Sequence, residues 1–198
     1  LLGGFGLRDA AGTELRLPTR KAEALLAYLA TASRQSHHRE TLASLLWNAA
    51  SEQAALASLR QALSLIGKAC GREVLLTEGR SVALAPGAFE VDVSVLLAAA
   101  SNTVDVARLD AVSLYRGEML AGLAIGEPVF EDWLHGARAR LREAAIHALT
   151  RLSAAQQAAG HMDRAVSTGL RLRHTTKPAP GLRGLDAALV TGLAMRFD

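Results

Sequence analysis

With 198 residues the chain has room for one or two domains, and its make-up, 50% apolar but only 4% aromatic, favours helices packed on helices over a β-sandwich. A net charge of +3 is too small to argue for nucleic acid by itself, although Arg16 to Arg80 holds nine Lys/Arg against five Asp/Glu, a bias that permits DNA binding without demanding it. The single cysteine, Cys70, excludes an intrachain disulfide and fits a reducing compartment.

The first seventeen residues, "LLGGFGLRDAAGTELRL", read as two short strands around a turn at Asp9 to Gly12. Gly3, Gly4 and Gly6 do not make a phosphate loop, because no "GK[ST]" follows them and the next helix begins too far away. "LPTRKAEALLAYLA" then sets Ala22, Leu25, Leu26 and Leu29 at helical spacing, with Thr19 placed to cap. After a polar break, "HRETLASLLW" repeats the pattern through Leu42, Leu45 and Leu46. "NAAS" is a short connection, and Ser51 can cap a third helix, "SEQAALASLRQALSLIGK". Two short helices joined by a tight turn have the format of a helix-turn-helix. "EVLLT" and "SVALA" around "EGR" signal a hairpin, closed by Pro86 and Gly87. Three helices followed by a hairpin describe a winged helix, so residues 1–92 are expected to form one.

Beyond Val93 the strand signal stops. "VSVLLAAAS" and "VDVARLDAVSLY" read as helices, and "RGEMLAGL" links them to a longer one from Pro128 to about Ala159. Leu134, Leu141, Ala148, Leu152 and Ala155 recur along one side of it, over roughly 45–50 Å at about 1.5 Å per residue. Gly160 breaks this helix and "MDRAVSTGLRLR" supplies an antiparallel partner. The pair is similar to one tetratricopeptide (TPR) repeat, with Ser153, Gly160 and Ala165 as small contact residues. The expected fold is therefore mainly α with small β-hairpins: a winged helix-turn-helix domain over 1–92, then an α-helical TPR-like domain over 93–198.

At about 100° per residue, Ala55, Leu59, Ala62, Leu63 and Ile66 of the third helix share one sector. Gln53, Ala57, Arg60, Gln61, Ser64 and Lys68 share the opposite one, which holds no carboxylate to repel phosphate. Arg pairs bidentately with guanine and Gln with adenine, each good pair contributing about 1–3 kcal/mol of discrimination. Thr19, Arg20 and Lys21 begin a helix where N–H groups and basic side chains can hold a phosphate. Arg39 can do the same at the second helix, and Arg80 sits at the hairpin tip.

Catalysis finds no footing. Cys70 lies between Ala69 and Gly71, which offer no activation, and His37 and His38 lack a nearby set of metal-ligand partners and read as solvated loop residues. Glu131 and Asp132 suit the helix dipole in a first turn, and no nucleophile–base set is present, so neither an enzyme nor a cofactor is expected. Charges interrupt every apolar run short of membrane-spanning length and no basic-then-apolar leader opens the chain. A soluble cytoplasmic protein with no membrane partner is the expectation. The absence of an initial Met suggests a fragment of a longer one.

"LPTRKAEALLAYLA", "RETLASLLW", "ASLRQALSLI", "LYRGEMLAGL" and "FEDWLHGARARLREAAIHAL", in this order, resemble the SARP-type bacterial transcriptional activators. These join a response-regulator-like winged helix to a helical bacterial transcriptional activator domain, and the likeness covers most of residues 1 to about 173. It implies binding of double-stranded DNA near promoters, often at direct repeats, and recruitment of RNA polymerase, with a homodimer as a further expectation. By position, Arg60 and Gln61 fall in the recognition helix and Arg80 in the wing, while Trp133, Leu134, Arg138 and Leu141 fall in the helical signature and look architectural. Two departures stand out. Family members commonly carry basic residues where this chain has Ile66 and Gly67, and a helix-interior glycine costs about 1 kcal/mol relative to Ala, so fraying is expected there. The tail "RHTTKPAPGLRGLDAALVTGLAMRFD" does not follow the family's further repeat helices and is divergent, truncated or disordered. The alternative function is a protein-interaction scaffold at the front of a larger signalling protein.

Overall fold

A computed structural model describes residues 1–32, 35–48, 51–101 and 115–176. Helix α1, Arg20–Thr31, starts at Thr19, whose hydroxyl accepts from Ala22 N at 3.2 Å. It buries Ala22, Leu25, Leu26 and Leu29, the residues its periodicity singles out. Strand β1, His37–His38, leads into α2, Arg39–Leu46, which buries Leu42, Leu45 and Leu46. Helix α3, Glu52–Cys70, begins at Ser51, whose hydroxyl accepts from Ala54 N at 3.4 Å. Its core side is Ala55, Leu59, Ala62, Leu63 and Ile66.

A single 3-10 turn, Arg72–Val74, follows Gly71, and then strands β2, Leu75–Glu78, and β3, Ser81–Leu84, form the hairpin. Glu78 faces Ser81, so the loop is the two residues Gly79 and Arg80, with Gly79 at φ +56° where a tight hairpin wants a left-handed residue. The sheet order is β1-β3-β2, all antiparallel, with His37 opposite Val82 and His38 opposite Ser81. The two histidines are therefore strand residues and not loop residues, with His37 half-buried and His38 exposed. A two-residue strand shows no periodicity, and its partner lies some 45 positions away, at Val82. With α1, α2 and α3 before the hairpin, this is the winged-helix architecture.

The opening segment departs from a simple hairpin. Asp9 caps the turn, accepting from Ala11 N and Thr13 N, and Leu15 N bonds Leu7 O at 2.9 Å. Leu2, however, bridges to Met119, with Leu120 N donating to Leu1 O and Gly3 N to Glu118 O. The phrase "RGEMLAGL" thus does more than link helices: its middle pairs with the chain's first residues. Leu120 holds φ +52°, unusual for a residue with a Cβ, and the fully buried side chain fixes it there.

Helix α4, Asp92–Ala100, follows; Asp92 Oδ2 accepts from Leu2 N at 2.8 Å. The helix expected over "VDVARLDAVSLY" lies almost wholly outside the described residues, as does the tail beyond residue 176. Helix α5, Pro128–Ala158, has proline in its first turn, where no intrahelical N–H is lost. It buries Leu134, Leu141, Ala148 and Leu152. Gly160, at φ +76°, turns the chain into α6, Met162–Thr176, which packs back along α5. There Ala165 is buried, and the buried Thr168 hydroxyl donates to Gln156 Oε1 at 2.8 Å.

The main core does not stop at residue 92. It runs from Leu2 and Leu25 through Leu59, Ile66 and Val82 to Met119, Leu120, Phe130, Leu134 and Leu141. An aromatic chain crosses the same region: His37 meets Tyr28 at 5.1 Å, Tyr28 meets Trp133 at 4.9 Å, and Trp133 meets Phe130 at 5.2 Å between ring centres. Arg138 Nε and Nη2 donate to the carbonyls of Met119 and Leu120 at 2.9 and 3.2 Å, and Arg142 pairs with Glu118. Trp133, Leu134, Arg138 and Leu141 are thus architectural. A smaller cluster, Ala99, Ala148, Leu149 and Leu152, joins α4 to the far part of α5.

Candidate nucleic-acid interface

Helix α3 divides along the line its periodicity draws. Ala55, Leu59, Ala62 and Ile66 are at most 4% exposed, whereas Gln53, Ala57, Arg60, Gln61, Ser64 and Lys68 are all exposed. Among the described residues, neither Arg60 nor Lys68 forms an ion pair. Glu52 is the one carboxylate of α3 and sits in its first turn, about 130° from the centre of the polar side. The exposed side is therefore a ladder of amide, guanidinium, hydroxyl and ammonium groups open to solvent.

Ile66 and Gly67 are buried and continue the core side. Helix α3 runs on past them to Cys70, so the expected fraying does not occur. A Cβ at Gly67 would meet Arg72 Cγ at 3.7 Å, an ordinary contact, so packing does not require the glycine there. Burial raises the pKa of the Cys70 thiol, which disfavours the thiolate.

The flanking cations behave differently from one another. Arg80 extends from the wing tip but is bound by Glu40 of α2, its Nε donating to Oε1 at 2.8 Å. The Glu40 carboxyl is held below its ordinary pKa by its own backbone N–H and by Arg80. Arg39 is half-buried, and its backbone N–H donates to Arg80 O at 2.8 Å, tying α2 to the wing. Arg20 is exposed, with a long contact of 3.5 Å from Nη1 to Ala124 O. Thr19 uses its hydroxyl as the α1 cap.

Lys21 is the member whose ammonium is already committed. It donates to Glu127 Oε1 at 2.6 Å and lies 5.4 Å from the Trp47 ring centre. Glu127, only 8% exposed, also accepts from Asn48 N at 3.0 Å through Oε2. Thr19, Arg20, Lys21, Trp47, Gln61 and Ile125 line a cleft of about 360 Å³ beside α3, so one edge of the polar side of α3 adjoins the segment before α5. Sequence reasoning did not find Glu127, Asn48 or Glu40. A Glu ahead of Pro128 reads as an ordinary helix start, and nothing local points to partners 79 and 106 positions away.

No cluster of three metal-ligand side chains occurs among the described residues, and no described helix is long and apolar enough to cross a membrane. His37 Nε2 is buried without a hydrogen-bond partner, and burial lowers its pKa. No curated protein matches the chain. Residues 91–180 match the family of the bacterial transcriptional activator domain. The helical part is thus similar to the bacterial transcriptional activator domain and follows a winged helix, consistent with the SARP-type activators the motifs resemble.

Proposed function

We propose that the protein is a sequence-specific DNA-binding transcriptional regulator, an activator whose winged helix engages promoter DNA. The observation that carries this reading is the exposed side of α3: Gln53, Arg60, Gln61, Ser64 and Lys68 without a carboxylate among them and with both cations unpaired among the described residues. A major groove about 12 Å wide admits a helix of this kind, and bidentate Arg and Gln contacts read base edges there. Arg60 and Gln61 are assigned base contacts; Gln53, Ser64 and Lys68 extend the surface along the groove. Thr19, Arg20, Arg39 and Arg80 flank it as phosphate contacts, with Arg80 exchanging Glu40 for a phosphate. Lys21 belongs to the same flank, but its bond to Glu127 makes it a holding residue before it is a phosphate ligand.

The helical part, from residue 93 onward, is assigned the contact with RNA polymerase or with a second subunit. Its family supports a role beside the transcription machinery. Ile66 and Gly67 are buried on the core side of α3, so their departure from basic residues leaves the exposed side of that helix unchanged.

Selection of bound duplexes from a random pool, followed by mobility shift, is the test. The expected result is one enriched motif that retards the protein. Absence of enrichment together with no retarded band at low salt, where phosphate contacts are strongest, would overturn the reading.

A further inference from the structure

Glu127 stands at the N-cap position of α5, yet its carboxylate makes no cap bond to that helix. It is turned instead into the winged helix, where Oε2 accepts the backbone N–H of Asn48 and Oε1 the ammonium of Lys21. Asn48 lies in the connection between α2 and α3, three positions before the Ser51 cap. One buried carboxylate therefore holds both Asn48, just past the end of α2, and the first turn of α1. A buried carboxylate left without partners is expensive, so the arrangement is held firmly in one geometry.

We propose that Glu127 is a positioning residue through which the helical part sets the angle at which α3 is presented to DNA. It acts through Asn48, and Lys21 compensates its charge. The inference rests on the DNA-binding reading for its consequence but not for its mechanics. Glu127 itself need touch no nucleotide: the N–H it binds is that of Asn48, three positions before the α3 cap, and its partner Lys21 lines the cleft that Gln61 shares.

Three variants of the full chain separate positioning from charge balance. E127A removes both bonds and strands the Lys21 ammonium. E127A/K21M removes the charge problem but leaves Asn48 N–H without its acceptor. E127Q/K21M is neutral and keeps an amide oxygen for Asn48. In amide exchange, Asn48 is expected to open about tenfold faster in E127A/K21M than in E127Q/K21M, as befits the loss of one buried bond. On the duplex selected from the random pool, E127A/K21M is expected to bind about tenfold more weakly than E127Q/K21M. The two double variants should share the wild-type salt slope, because no phosphate contact is lost.

Equal exchange at Asn48 and equal affinity in the two double variants would overturn the proposal. So would a slope lower by about 0.9 in E127Q/K21M, which would place Lys21 on a phosphate. Should the wild-type protein bind no duplex at all, the DNA reading fails. Equal exchange at Asn48 then refutes the role of Glu127 separately, whereas faster exchange in E127A/K21M retains it.

Discussion

Phe130 is fully buried on α5, 5.2 Å from the Trp133 ring, in a cluster that also holds Leu25 of α1 and Leu59 of α3. If the winged helix and the helical part share that core, Phe130→Ala must destabilise both at once. Truncating a buried Phe costs about 3–5 kcal/mol, the lost transfer energy plus the cavity left where surroundings do not collapse. With a urea dependence of about 2 kcal/mol per molar, the midpoint should fall by about 1.5–2.5 M. The chain carries its own pair of reporters: Trp47 at the end of α2 and Trp133 in α5, the only two tryptophans. Urea unfolding followed by fluorescence in Trp47→Phe and Trp133→Phe backgrounds reads the two parts separately. The expected outcome is one transition, displaced equally for both reporters. A Trp47 transition that stays in place while the Trp133 transition moves would refute the shared core.

Three further outcomes follow from named contacts. Arg60→Ala should relax base preference at one position of the selected site by about 1–3 kcal/mol, measured by competition between matched and mismatched duplexes, and leave the salt slope nearly unchanged. Ile66→Lys would place an ammonium where Ile66 is 0% exposed, so it should unfold the winged helix and not strengthen DNA binding, as melting in parallel with mobility shift would show. Burial lowers the His37 pKa from 6.5, so the folded state binds fewer protons than the unfolded one; its contribution is complete above 6.5 and declines as pH falls through that value, and His37→Phe should flatten stability between pH 7 and 5 in urea titrations.

Local signals were legible because their causes are local. Thr19 and Ser51 cap the helices their positions mark, and Pro128 and Gly160 delimit α5 as their backbone preferences require. Residues Gly79 and Arg80 fit a two-residue hairpin loop. What escaped depends on chain segments that meet only in the folded state. Leu2 pairs with Met119, and no pattern in "LLGGF" or "GEML" names the other. His37 and His38 look like a polar break until Val82 and Ser81 arrive beside them. The doubt placed on Ile66 has a different origin. Helical angle already set it with Leu59 and Ala62, and it is that sector, not a comparison with basic residues in relatives, that decides which way a side chain points.

Charge shows the same limit most sharply, because a sequence records the sign of each group but not its counter-ion. Lys21 and Arg80 are as basic on paper as Arg60 and Lys68, yet Glu127 and Glu40 hold the first two. An ion pair within the protein must be broken or shared before its cation can neutralise a phosphate. A cation solvated only by water loses little by the exchange, while DNA gains entropy from the counter-ions it releases. On the proposed DNA-binding reading, Arg60 and Lys68 of α3 therefore offer more to a duplex than Lys21 or Arg80, which Glu127 and Glu40 hold. A basic count over residues 16–80 overstates the electrostatic attraction on that reading, which assigns correspondingly more of the affinity to base contacts of Arg60 and Gln61.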